Sequence, residues 1–357
     1  CFLFTDAIDH GTEMTALNAG VQGAPALTQN IKCILNYAGN CLTNQHGNIN
    51  RAHDILADES KCELIVVWET AMTDSAKYAD YLLPDLFRFE QRSLIGTGGD
   101  VAYLVAGEAC PTPKFERKSL YECLTLLARR LGVEEAFTEG KTESEWIEQL
   151  YEETRAKDAG LPTYAEALAR GVYLRENPRG RTIVHEAFRA DPAANPLSTP
   201  SGKIEIYSET LAQIAAAWDL GPEDVIAPVP VYTPGFTETD VPTERLPLRC
   251  SGFHYRGRLH SSWGGIELLR QANPQELWIN PADAEPRGIA AGDRVRVAND
   301  FGATELIAKV TPRVVPGTVC MAQGAWHDAD MGGDRVDRGG CINTITTHRP
   351  SPLAKGN

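Results

Sequence analysis

The sequence predicts an α/β domain built on a parallel, dinucleotide-binding-like sheet, followed by a small C-terminal β-barrel. Three observations carry this expectation. Leu64-Ile65-Val66-Val67 is a continuous aliphatic run, too short for a stable helix, of the kind that forms a strand buried on both faces. Ile31–Leu35 is a second such run, and a helical pattern over Asn48–Ala57 separates the two, giving a βαβ unit with a right-handed crossover. Beyond residue 247 the pattern changes to short strands divided by turns, for which a small barrel is the economical arrangement.

Taken in order, residues 1–30 mix Gly, Thr, Asn and Ala around one weak helix, Glu13–Leu17. The strand Ile31–Leu35 opens into the polar turn Asn36-Tyr37-Ala38-Gly39-Asn40. The following helix places Ile49, Ala52, Ile55 and Leu56 on one face. The strand Leu64–Val67 stops at Trp68-Glu69-Thr70. A polar loop with Thr73, Asp74 and Ser75 then caps a helical turn, Ala76–Ala79. Tyr81–Leu83 is a third short strand, ended by Pro84. Ser119–Leu131 is a helix with Leu120, Cys123, Leu124, Leu127 and Leu131 at helical spacing. Thr142–Ala156 and Thr163–Arg170 are further helices, the second with Thr163 and Glu166 placed as a capping box. Their charged faces read as solvated surface. Lys203–Tyr207 alternates like a strand, and Ser208 caps a helix over Glu209–Trp218.

The proline-rich stretch 221–246 reads as a linker, dividing the chain into an α/β domain over 1–220 and a barrel domain over 247–357. The barrel strands are expected at Leu248–Gly252, Glu276–Asn280, Arg294–Ala298, Thr304–Val310 and Thr318–Ala322, with a hairpin turn at Asn299–Gly302.

A length of 357 residues leaves room for two or three domains with real cores. A net charge of −14 argues against a general nucleic-acid binder, which needs a basic face. No apolar run approaches the roughly 20 residues that span a bilayer, so no membrane insertion is expected. The nine cysteines contain no CxxC pair, so neither a disulfide framework nor a metal site is suggested; buried free thiols are expected. The chain starts at Cys1 without a methionine or a leader pattern and reads as a fragment of something longer.

In open α/β sheets ligands lie beyond the carboxyl ends of the strands. The loops 36–40 and 68–75 fall on the same edge of the sheet, where a carboxylate and several hydroxyls suit the base and phosphate of a nucleotide. The second loop also reads as an ordinary connection capped by Thr73 or Ser75.

Several segments in order carry a family resemblance. They are NYAGNCLTNQHGNINRAHDIL (36–56), the stretch 63–85, TPSGKIEIYS (199–208), GFHYRGRLHSSW (252–263), WINPADAEPRGIAAGDRVRVANDFGATELIAKVTPRVVP (278–316), and GAWHDAD followed by GGCINTITTHRPSPLAKGN. Together they resemble the molybdopterin oxidoreductases, and the ending looks like the catalytic A subunit of the anaerobic, membrane-bound dimethyl sulfoxide reductases. The resemblance implies that the C-terminal domain is a six-stranded barrel of double-psi type. It also implies a molybdenum bis(molybdopterin guanine dinucleotide) cofactor.

Carried over residue by residue, Asn36, Gly39 and Asn40 match a strand-end loop approaching the cofactor. Trp68 and Glu69 match the guanine end, where a carboxylate can accept from both N1–H and N2–H. Thr73 and Ser75 match a loop serving ribose or phosphate, and Gln91 a further polar contact. Ser251, Gly252, His254, Arg258, His260 and Ser261 match the segment along the pterins and phosphates, and Arg258 suits a diphosphate. Trp326 and His327 line up near the reaction pocket, and Asn343 with a pterin contact. His185 and His348 read as structural. Lys203 and Glu205 are either cofactor-adjacent or a structural salt link.

The cysteine cluster for a [4Fe–4S] centre and the molybdenum ligand are not in this chain, so the resemblance implies that both belong to the full-length protein. The fragment alone is expected to be inactive, and no residue in it is assigned acid–base or nucleophilic work. The implied activity is oxygen-atom transfer from S- or N-oxides in anaerobic respiration. The implied partners are an iron–sulfur electron-transfer subunit and a membrane-anchor subunit, and the implied compartment is the periplasmic face of the cytoplasmic membrane. Selenate or nitrate reduction is the alternative within the family; a non-catalytic nucleotide- or partner-binding module is the alternative outside it.

Overall fold

The computed structural model describes residues 3–96, 103–109, 112–158, 160–174, 180, 183–222, 224–232 and 242–353. It divides into two compact units, one of residues 1–82 with 206–357 and one of residues 83–205. The N-terminal βαβ unit and the C-terminal strands fall in the same compact unit. Part of the proline-rich stretch, residues 233–241, lies outside the described residues.

In the first unit, β1 (Cys33–Tyr37) and β2 (Leu64–Glu69) pair in parallel from Cys33 opposite Leu64 to Tyr37 opposite Trp68, with β3 (Tyr81–Pro84) next in the sheet. The register brings both strand ends to one edge. The helix Ile49–Leu56 connects them, capped by Asn48, whose Oδ1 accepts from Arg51 N–H at 3.2 Å. Its expected face, Ile49, Ala52, Ile55 and Leu56, is buried; Ile55 and Leu56 join Ile8, Ile65 and Val67 in the core.

The expectation that both strands are buried on both faces holds only for the middle one. β1 is an edge strand, with Leu35 57% and Tyr37 46% exposed. The N-terminal helix is Phe4–Asp9 rather than Glu13–Leu17. Thr15 Oγ1 instead accepts from Leu17 and Asn18 N–H, and Asn18 Oδ1 from Thr15 N–H, a local network that competes with helix formation.

The second unit holds an antiparallel sheet that the sequence pattern did not disclose: β4 (Ser93–Gly96), β5 (Tyr103–Gly107) and β6 (Val172–Leu174), in the order β4-β5-β6. Ala106, Tyr151, Tyr164 and Ala167 form its core. Its longer helices are Leu120–Leu131, Glu143–Lys157 and Tyr164–Arg170, the last two with full capping boxes. On the first of these the expected apolar stripe is left partly open, with Leu127 45% and Leu131 67% exposed. Lys203–Tyr207 forms no strand. Ile204 and Ile206 stand more than 70% exposed, because alternation without a neighbouring sheet edge has nothing to pair with.

The C-terminal part of the first unit is a six-stranded mixed sheet: β7 (Arg249–Phe253), β8 (Glu276–Ile279), β9 (Arg294–Ala298), β10 (Ala303–Val310), β11 (Thr318–Ala322) and β12 (Val336–Asp337). The order is β12-β10-β8-β11-β7, with β9 paired to β10 through a hairpin that Asn299 closes by accepting from Phe301 N–H at 2.9 Å. Leu277, Ile279, Leu306, Val319 and Met321 fill its core. The whole is a mixed α/β fold with a parallel sheet and a curled mixed sheet.

Candidate site at the strand ends

The loops after β1 and β2 meet the segment that follows β11. Asn40 Oδ1 accepts from Ser75 N–H at 3.1 Å, which ties the two strand-end loops together. Asn44 Nδ2 donates to Ala325 O at 2.6 Å, and Asp74 Oδ2 accepts from His327 N–H at 2.8 Å. From there Trp326 Nε1 donates to Ser261 O at 2.7 Å, and Gln323 bonds His260 Nδ1 at 2.9 Å. Hydrogen bonds alternating with neighbours along the chain therefore link Asn40 to His260. Gly324 permits it: a Cβ there would stand 1.9 Å from His260 O.

Left-handed backbone occurs at and beside this run. Ala38, His260 and Trp263 all adopt the left-handed region, with φ of 47°, 47° and 60°. Such conformations cost free energy for residues with a side chain and persist where surrounding contacts enforce them.

The sequence-predicted residues fall into three groups. In the first, the polar atoms are occupied internally. Asn36, 5% exposed, donates to Gly39 O at 2.7 Å and accepts from the Cys41 thiol at 2.8 Å. Thr73 Oγ1 accepts from Ala76 N–H at 3.1 Å, the capping alternative. Ser75 is fully enclosed, its hydroxyl bonded to Thr43 Oγ1 at 3.0 Å and accepting from Thr43 N–H at 3.2 Å. The Thr73 and Ser75 hydroxyls thus hold the loop in shape through intrachain bonds.

A second group carries buried polar atoms with no partner: Asn40 Nδ2, Trp68 Nε1 and His327 Nε2. His327 is held below the usual histidine range, chiefly by burial, against the pull of Asp337 and Asp74.

The third group presents accessible polar groups. Glu69 Oε1 accepts from Thr70 N–H at 2.8 Å, and Oε2 has no hydrogen bond among the described residues. Ser251 and Gly252 lie exposed on β7, and the His254 and His260 rings meet edge-on at 5.8 Å. Among the described residues Arg258 bonds only neutral acceptors: Gln275 Oε1 at 2.7 Å, Gln323 O at 3.4 Å and Asn273 O at 3.3 Å. Burial pulls its guanidinium below the usual arginine range. Asn343 is half-buried near the end of the same unit. Gln91 belongs to the other unit, where its amide reaches Leu86 O at 3.4 Å beside a cleft of ≈ 350 Å³.

Two carboxyls escaped sequence reasoning. Asp74 lay between two flagged hydroxyls, the only local signal it gives. Asp337, fully buried, accepts from Thr304 Oγ1 and from the N–H groups of Asp328, Gly339 and Cys341 at 2.6–2.9 Å. His348 bonds Asn48 at 3.3 Å, a structural contact. Glu205 accepts from Ser201 N–H at 2.8 Å. The seven described cysteines are free thiols.

Comparisons with known proteins bear on the same residues. Residues 5–130 match the family model "Molybdopterin oxidoreductase", and residues 248–357 match "Molydopterin dinucleotide binding domain". The chain is 54% identical over its whole length to the putative dimethyl sulfoxide reductase chain YnfE of Escherichia coli K12, covering 45% of that protein. It is 53% identical to dimethyl sulfoxide reductase DmsA of the same organism, again over the whole chain and 44% of the relative. The chain thus spans less than half the length of these curated relatives. Among solved structures it resembles the acetylene hydratase of Pelobacter acetylenicus, with a TM-score of 0.70 at 21% identity, over 99% of this chain and 44% of that one. That likeness concerns the fold alone.

Proposed function

The chain belongs to the molybdopterin oxidoreductase family, and from that premise we propose that it is the C-terminal part of the catalytic subunit of an anaerobic dimethyl sulfoxide reductase. The observation that carries the reading is the bonded run from Asn40 through Asp74, His327 and Trp326 to Ser261. Three of its buried polar atoms, Asn40 Nδ2, Asp74 Oδ1 and His327 Nε2, have no partner among the described residues.

The residues present fit a molybdenum bis(molybdopterin guanine dinucleotide). Trp68 Nε1 and Asn40 Nδ2 are buried donors without acceptors. Arg258 holds a partly buried charge with no carboxylate bonded to it among the described residues, which suits a diphosphate. When bound, this group supplies oxygen-atom transfer from S- or N-oxides at molybdenum. The chain's own part is to hold and orient. Glu69 selects guanine, Arg258 takes diphosphate oxygens, His260, Ser261 and Asn343 contact pterin heteroatoms, and Trp326 and His327 border the reaction pocket.

On the same reading the six strands are those of a double-psi barrel. The molybdenum ligand and a [4Fe–4S] centre come from the rest of the protein, and electrons arrive from an iron–sulfur subunit beside a membrane anchor at the periplasmic face.

The test is guanine and molybdenum content of the full-length protein. Glu69→Ala removes up to two charge-assisted hydrogen bonds, about 1.5–3 kcal/mol each, so retention is expected to weaken by roughly tenfold or more. Glu69→Gln should fall between the two. Wild-type content in Glu69→Ala contradicts the guanine assignment.

A further inference from the structure

Three buried polar atoms sit on segments that hydrogen bonds hold side by side. Asp74, 3% exposed, uses Oδ2 for His327 N–H at 2.8 Å, while Oδ1 is buried without a partner. Asn40 uses Oδ1 for Ser75 N–H at 3.1 Å, and its Nδ2 is buried without a partner. His327, 6% exposed, has Nε2 in the same condition. The other buried carboxyl nearby, Asp337, has both oxygens bonded, so of these two carboxyls Asp74 alone keeps an oxygen open.

The three atoms are complementary in kind. Asp74 Oδ1 accepts, Asn40 Nδ2 donates, and an imidazole nitrogen does either according to tautomer. A carboxyl turns away an anion, and an amide N–H turns away a cation. A neutral group that both donates and accepts satisfies all three, in the way that a buried water makes about three bonds to otherwise unpaired groups.

We propose that Asp74, Asn40 and His327 form a receptor for one such group, a water molecule or a hydroxyl of the bound ligand. Only the second source rests on the function proposed above. Asp74 has two tasks here: it fastens the segment after β11 to the loop after β2, and it offers its second oxygen to the guest.

Asp74→Asn separates the two tasks in the full-length protein. Its amide oxygen still accepts His327 N–H, but the other position becomes a neutral donor, so the guest must turn to accept there and loses its charge-assisted bond to the carboxylate. If Oδ1 were idle, the isosteric change would cost nothing and would relieve a buried carboxyl. The expected result is an apparent melting midpoint several degrees below wild type, and lower still for Asp74→Ala, which also loses the fastening.

The measurement is made on cofactor-loaded protein and on protein from cells unable to make the pterin. A fall in both forms identifies water as the guest, and a fall only in the loaded form identifies a ligand hydroxyl; either supports the receptor. Asp74→Asn melting at or above wild type in both forms overturns it. Wild-type protein without guanine or molybdenum would sink the proposed function, while a fall in the cofactor-free form would still uphold the receptor. Should Asp74→Ala fail to fold, Asp74→Asn alone decides.

Discussion

Thr73 and Ser75 carry hydroxyls that suit a nucleotide, and each also has a partner within the chain. The Thr73 oxygen takes the Ala76 N–H at 3.1 Å, and Ser75 faces Thr43 across the loop. Thr73→Val, equal in shape, leaves that N–H unpaired and should cost about 1 kcal/mol in a urea melt. Thr73→Ser should restore most of it. Equal stability of the valine variant would return the hydroxyl to the ligand side. The sequence identified the right loop here. It could not say which hydroxyls faced inward, because the partner of Ser75 lies 32 residues away.

Helices were legible where caps and periodicity agree. The capping boxes at Thr142 and Thr163 and the Asn48 cap form within three residues of chain. Strands were less so, since alternation at Lys203–Tyr207 implies a sheet only if an edge is nearby, and β4, β5 and β6 pair through partners distant in sequence. Docking of the helix Ile49–Leu56 depends on Gly47, which no pattern singled out. A Cβ there would lie 2.1 Å from Thr347 O, and the next residue donates to Thr346 O at 2.7 Å. Gly47→Ala should therefore destabilise by about 1–3 kcal/mol, as overpacking does. Faster proteolysis of the C-terminal segment would report it, and an unchanged cleavage rate would count against this docking.

At the scale of the molecule, three histidines in one unit set a pH response. His53, His327 and His348 are each held below the usual histidine range, in every case first by burial. In the unfolded chain they titrate near about 6.5. Below that pH the unfolded state binds protons that the folded state refuses. Stability is therefore full above it and declines as pH falls toward the folded values. Thermal midpoints should drop between pH 7.5 and pH 5. A flat profile would mean that these rings are solvated.

By itself the sequence determined the parallel βαβ unit, most of the C-terminal strands, the helix caps and the family, because these are written in short-range pattern and in motifs. Only the tertiary structure decided that the N-terminal sheet and the C-terminal strands form one body, which hydroxyls turn inward, and that Asp74 meets His327 across 253 residues of chain. The reason is physical. A pattern fixes which face of an element is apolar, but a polar atom's role depends on what stands opposite it, and that is set by packing.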